Sequence, residues 1–172
     1  MKNIVIKKNE NLVLPVIWSG QEKEISYDIK LAGVNSCLTF LMLLLGKKDD
    51  KIKIQVNVDH QAIETKSKVI VKGVIEDSAS VDFNGLVKIE KGAKGSNAWL
   101  NANLLLLSDS AKGRAVPALE ILENDVKAGH ATTIGKINDT ELFYLMSRGL
   151  SRTKATDLIV QGFLNGFLNY EK

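Results

Sequence analysis

Ile52-Lys53-Ile54-Gln55-Val56-Asn57-Val58-Asp59 alternates apolar and polar residues without a break. Successive side chains of a β-strand point to opposite faces, so a period of two marks a strand with one face buried. On either side the pattern continues. Residues 68–76 and 81–89 read as further strands, parted by Asp77-Ser78-Ala79-Ser80. Residues 11–18 and 24–31 flank Ser19-Gly20-Gln21, and 98–107 and 118–122 follow loops at 91–95 and 108–117. The apolar-rich runs 38–45 and 104–107 fit strands covered on both faces. Periodicity does not part such runs from short helices; their length and flanking glycines favour strand. Many short β segments without helical patterns between them exclude a dinucleotide-binding α/β sheet and leave sandwich, barrel or β-solenoid. No strict repeat is evident, so spacing does not choose among the three.

The character changes after Ile137. Asn138 followed by Glu141 is a capping-box spacing, Leu142, Phe143, Leu145 and Met146 give an apolar face, and Gly149 is placed to end the helix. Ser151 opens a second helix, in which Ala155, Leu158, Ile159, Gly162, Phe163, Gly166 and Phe167 fall three and four apart. Glycine costs a helix about 1 kcal/mol relative to alanine. Two on one stripe therefore suggest close approach by another backbone. The expected division is a β core over 1–137 and a small helical subdomain over 138–172.

Composition excludes more than it identifies. The 172 residues are 45% hydrophobic and 25% charged, the make-up of an ordinary globular chain with enough length to bury a core. One cysteine, Cys37, makes an intrachain disulfide impossible and no thiol pattern for structural zinc exists. The net charge of +3 is spread among interspersed acids and bases, which implies neither a nucleic-acid nor a membrane partner. No apolar run approaches the roughly 20 residues of a membrane-spanning helix, and the N-terminus lacks a signal-peptide core, so the cytoplasm is expected.

Chemistry is sparse. There is no Gly-x-Ser-x-Gly, and the loop serines have no local histidine. Gly92-Ala93-Lys94-Gly95-Ser96 lacks the order of a phosphate loop and precedes a strand, not a helix. His130, among the small residues of 126–133, has room to reach a ligand, and neutral imidazole binds iron, zinc or copper; the plainer reading is a half-buried ring bonded to backbone. His60 reads as a solvated strand end, and Cys37 as a small core residue. Glu120, Glu123 and Asp125 either assist a metal or face solvent.

Several blocks in order carry a resemblance: Gly85-Leu86-Val87-Lys88-Ile89, Asn103-Leu104-Leu105-Leu106-Leu107-Ser108-Asp109, Pro117-Ala118-Leu119-Glu120-Ile121, Asn124-Asp125-Val126-Lys127, Gly129-His130-Ala131-Thr132-Thr133-Ile134-Gly135, and Leu142-Phe143-Tyr144-Leu145-Met146-Ser147-Arg148-Gly149-Leu150-Ser151. The chain resembles the C-terminal core of the SufB/SufD family, scaffold components of the SUF iron–sulfur cluster assembly machinery, in a much shortened, SufD-like form. The resemblance implies a mainly β chain: a right-handed parallel β-helix (a β-solenoid) with a small C-terminal α-helical subdomain. It implies no enzyme activity of its own. Partners would be a SufC-like ABC-type ATPase, docked by the helices, and a SufB-like chain or a second copy, paired through the β-helix. Leu142, Phe143, Tyr144, Arg148, Gly149, Gly162, Phe163 and Gly166 would then face the ATPase. His130 matches a SufD-type histidine and becomes an auxiliary ligand. Ala102 and Ala128 stand where family chains carry cysteine, so an iron–sulfur cluster, if handled, would be held mainly by a partner. Two other readings remain open: an interaction module that kept the fold without cluster chemistry, and a carbohydrate-active β-helix, for which no carboxylate cluster is visible.

Overall fold

In the computed structural model, which describes residues 1–20 and 22–168 without side-chain surroundings for Gly166 and Leu168, ten strands precede two helices. The strands are β1 (Lys2–Ile6), β2 (Asn11–Trp18), β3 (Glu24–Leu31), β4 (Cys37–Gly46), β5 (Lys51–His60), β6 (Lys66–Ile75), β7 (Ser80–Ile89), β8 (Asn97–Leu106), β9 (Lys112–Ile121) and β10 (Lys127–Lys136). Odd strands form one five-stranded sheet in the order β1-β3-β5-β7-β9 and even strands the other, and every pairing is parallel. Each coil thus gives one strand to each sheet. The molecule is a parallel β-solenoid of about 5 turns.

The alternation seen at 52–58 is the reason. Ile52, Ile54, Val56 and Val58 point inward and are at most 2% exposed, while the residues between them face out. Register stacks like on like: Phe40 lies on Val69 and Val69 on Leu100, and the Tyr27 and Phe40 rings meet edge to face across the core at 5.0 Å. Burying one such side chain contributes about 1.5–3 kcal/mol. The core is one continuous column between the sheets.

Coil length explains why no repeat was legible. Ile4 pairs with Ile29, Ile29 with Val58, Val58 with Val87 and Val87 with Leu119, steps of 25, 29, 29 and 32 residues. Strands stay in register while corners change length. One corner repeats a left-handed residue in each of the first four coils, Asn9, Asn35, Glu64 and Gly95. Each of their amides donates to the next coil, to Val34, Ile63, Lys94 and Asp125 carbonyls, at 2.7–3.1 Å.

Three expectations need correction. The loop expected over 108–117 is strand from Lys112, and 127–136, read only as a small-residue segment, is β10. Glycines, alanines and Pro117 weaken the β signal there, yet both are edge strands, where such residues are tolerated. Pro117 in β9 and Pro15 in β2 both occupy edges, so neither breaks a ladder flanked on two sides. His60 is not solvated: it is fully buried at the end of β5.

Helix α1 (Asp139–Ser147) starts as the capping pattern predicts, with Asn138 Oδ1 accepting from the Thr140 amide at 2.9 Å and the Glu141 amide at 3.4 Å. Gly149, at φ +93°, turns the chain after it. Helix α2 (Arg152–Leu168) is capped by Ser151, whose Oγ accepts from the Lys154 amide at 3.3 Å. It lies on the outer face of the even sheet, where Phe167 packs on Leu41 and Ile70.

Candidate functional site

The C-terminal end of the solenoid is unfinished. In β7 every second residue is buried, whereas neither β9 nor β10 contains a buried residue. Among the described residues, none buries their inward rows. Register places His130 on Leu100, Thr132 on Ala102 and Ile134 on Leu104, so these side chains continue the core columns to the open end. Ile121 and Ile134 remain 42% and 39% exposed. His130 is exposed, and its strand is held from the outside by Trp99, whose ring lies so close over Gly129 that a Cβ there would sit 2.4 Å from it.

The other residues singled out as ligands do not converge on His130. Glu120 faces outward, with its carboxylate 3.7 Å from the Lys88 ammonium. Glu123 ties down a turn, accepting from the Gly92 and Asn124 amides at 2.9 Å, and those bonds hold its carboxyl below the usual range. Asp125 is an exposed turn residue, and Cys37 lies half-buried at the start of β4, on a distant coil. Ala102 is fully buried, and Ala128 is half-buried one inward row from His130. Among the described residues no group of three or more His, Cys, Asp or Glu is placed to hold a metal ion. One imidazole at an open face can contribute a single bond to a cluster and cannot hold one alone.

His60 carries the polar chemistry that sequence reading missed. Its Nδ1 lies 2.8 Å from Thr65 Oγ1 and its Nε2 2.7 Å from Ser67 Oγ; Thr65 Oγ1 lies 2.7 Å from Ser96 Oγ and donates to the Ala62 carbonyl at 3.1 Å. With Thr65 Oγ1 donating to Ala62, it accepts from Nδ1–H and Nε2 accepts from Ser67; Ser96 Oγ also reaches the Ala62 carbonyl, at 3.5 Å. Burial pushes the ring pKa down to about 4, so it is neutral at physiological pH. This cluster staples adjacent coils and is closed to solvent. The signal was present: His60 has the same strand parity as Ile52 to Val58.

The helical residues divide into inward and outward sets. Leu142 is 5% exposed and anchors α1 to the body, so it offers no surface to a partner. Phe143 and Tyr144 are 72% and 54% exposed, Arg148 lies over the Tyr144 ring at 5.3 Å, and Gly149 is exposed beside them. Phe163 is half-buried. Lys72 donates to its carbonyl and sits 4.8 Å from its ring, and burial holds that lysine below its ordinary pKa. A Cβ on Gly162 would meet nothing within 4 Å, which corrects the expectation that another backbone approaches it within this chain. The residue opens instead onto a groove of about 440 Å³ lined by Leu105, Ile137, Leu145, Leu158 and Ile159. The surroundings of Gly166 lie outside the described residues.

Comparison with known proteins gives a consistent result. A family model described as SUF system FeS cluster assembly, SufBD core domain, matches residues 12–163. The iron-sulfur cluster assembly protein SufD of Bacillus subtilis is 38% identical over 127 residues, covering 74% of this chain and 29% of that protein. A SufBD family iron-sulfur cluster assembly protein of Pyrococcus horikoshii is 37% identical over 158 residues, 92% of this chain and 32% of its own. A Mycobacterium leprae protein of the same description is 36% identical over 105 residues, 61% and 12% respectively. The chain spans less than a third of each of these relatives.

Proposed function

The chain belongs to the SufBD core family, and on that premise we propose that it is a SufD-like, non-enzymatic assembly component of the cytoplasm, pairing through its open C-terminal coil and docking a SufC-like ATPase through its helices. The observation that carries this reading is the unburied inward row of β9 and β10, with His130 in it. Ile121, Ile134 and Leu119 would be covered by a SufB-like chain or a second copy, which removes apolar surface from water and protects the free strand edges. Pairing would bring His130 to the seam. There its neutral imidazole would supply one ligand to an iron–sulfur cluster carried as cargo, with thiolates from the partner supplying the rest. The exposed Phe143, Tyr144 and Arg148, together with the groove beside Gly162, are the apolar and cationic surface offered to the ATPase. Nucleotide hydrolysis on that partner would rearrange the pair.

The two surfaces are separable by co-purification with a SufB-like chain and a SufC-like ATPase. Ile134→Glu is expected to lose the chain partner and keep the ATPase; Phe143→Ala with Tyr144→Ala is expected to do the reverse. Full retention of both partners by both variants refutes the reading. A second reading, an interaction module with no cluster role, is favoured by the alanines at 102 and 128. Anaerobic reconstitution of the paired complex with iron and sulfide decides between them: the cluster reading requires His130→Ala to retain less cluster than the unaltered chain.

A further inference from the structure

The outer face of the odd sheet carries a feature unrelated to the open end. Near the start of the strands, Lys51, Ser80 and Lys112 stack in one row on successive coils, and Glu24, Lys53, Asp82 and Arg114 stack in the next outward row. With Lys23 at the lip, these side chains line a groove of about 510 Å³. Its five cations exceed its two acids by three. That equals the formal net charge of +3 of the whole chain, so everything outside the groove sums to zero. Arg114 is committed, donating to Asp82 at 2.6 Å and to Asn84 at 3.2 Å. Lys23, Lys51, Lys53 and Lys112 are not ion-paired among the described residues. Three further acids, Glu22, Asp49 and Asp50, line an adjoining hollow that shares Lys23 and Lys51 with the groove, and Asp50 accepts from the Lys47 amide at 3.0 Å.

We propose that this groove binds an oligophosphate group, either free or as the tail of a nucleotide. Neighbouring coils are about 4.8 Å apart, so Lys51 and Lys112 flank the Ser80 hydroxyl from either side. A phosphoryl group centred on Ser80 lies between the Lys51 and Lys112 side chains. Lysines are compact point charges on flexible stems and suit concentrated phosphate charge, whereas the one guanidinium already has its Nη1 held by Asp82 and Asn84. The volume falls in the range of about 300–1,000 Å³ typical of small-molecule sites. The lysine stems supply apolar contact for whatever the phosphates carry.

Calorimetric titration at low ionic strength, with tripolyphosphate and ATP as probes, tests this. Saturable 1:1 binding is expected, with Lys51→Glu and Lys112→Glu each weakening it by about tenfold or more, and Lys91→Glu, in a distant turn, changing it by less than about twofold. All three sites are exposed, and Lys51→Gln with Lys112→Gln gives a milder pair if a charge reversal disturbs the fold. Equal affinity for both probes means that phosphate alone is read, and tighter ATP binding means that the nucleoside also contacts the groove; either supports the proposal. Absence of binding up to about 1 mM, equal weakening by Lys91→Glu, or tighter binding of an oligoglutamate peptide than of tripolyphosphate overturns it.

Discussion

The coil built from β5 and β6 and the one built from β9 and β10 share one geometry and differ in everything that burial controls. Both pair in parallel, in register, with side chains of alternate parity turned inward. The earlier coil has a neighbour above and below, and its inward row is Ile52, Ile54, Val56, Val58 and His60, all at most 2% exposed. The last coil has a neighbour on one side only. Its inward row includes Pro117, His130 and Thr132, residues that a closed core would exclude or would have to satisfy. In a solenoid, polarity of the inward row therefore reports position along the stack more than it reports fold.

The largest effect should separate the two coils directly. Phe40→Ala removes a fully buried ring from the closed stack and should cost about 3–5 kcal/mol in denaturant unfolding, whereas Ile134→Ala at the open end should cost well under 2 kcal/mol in the isolated chain. Comparable losses would mean that the end is already covered.

The histidines offer the next contrast. An unfolded His60 takes up a proton near pH 6.5, and the folded, buried ring only near pH 4. The unfolded state therefore binds more protons in that window, and stability should fall as the pH drops through it, by about 3 kcal/mol in all, with no contribution above pH 7. His60→Gln should flatten this limb of the urea-midpoint profile. His130→Ala removes an exposed side chain and should move the urea midpoint at pH 7 by little.

The smallest effect concerns the helices. Asn138→Ala removes the acceptor for the Thr140 and Glu141 amides and should cost about 1 kcal/mol, seen as faster hydrogen exchange at those two amides while the strand amides of the closed coils stay protected.

How much of this was legible depended on local signal strength. The bounds of β2 and β3 follow from the runs on either side of the turn residues at 19–21, and the caps at Asn138, Gly149 and Ser151 from residue type. β10 was illegible because edge strands need little apolar content, and the solenoid itself was hidden because its period drifts from 25 to 32 residues. The docking of α2 on Leu41 and Ile70 was equally invisible, since an apolar stripe does not name the face that receives it. The charged groove has a different cause: Lys51, Lys53, Lys112 and Arg114 are scattered in the chain and become neighbours only once the register is known.

Constant rungs joined by corners of changing length have a consequence for heredity. An insertion or deletion at a corner leaves every rung with its partners, so such changes should accumulate there silently across descendants. A single-residue slip inside a rung turns its whole inward row to solvent, and should be purged.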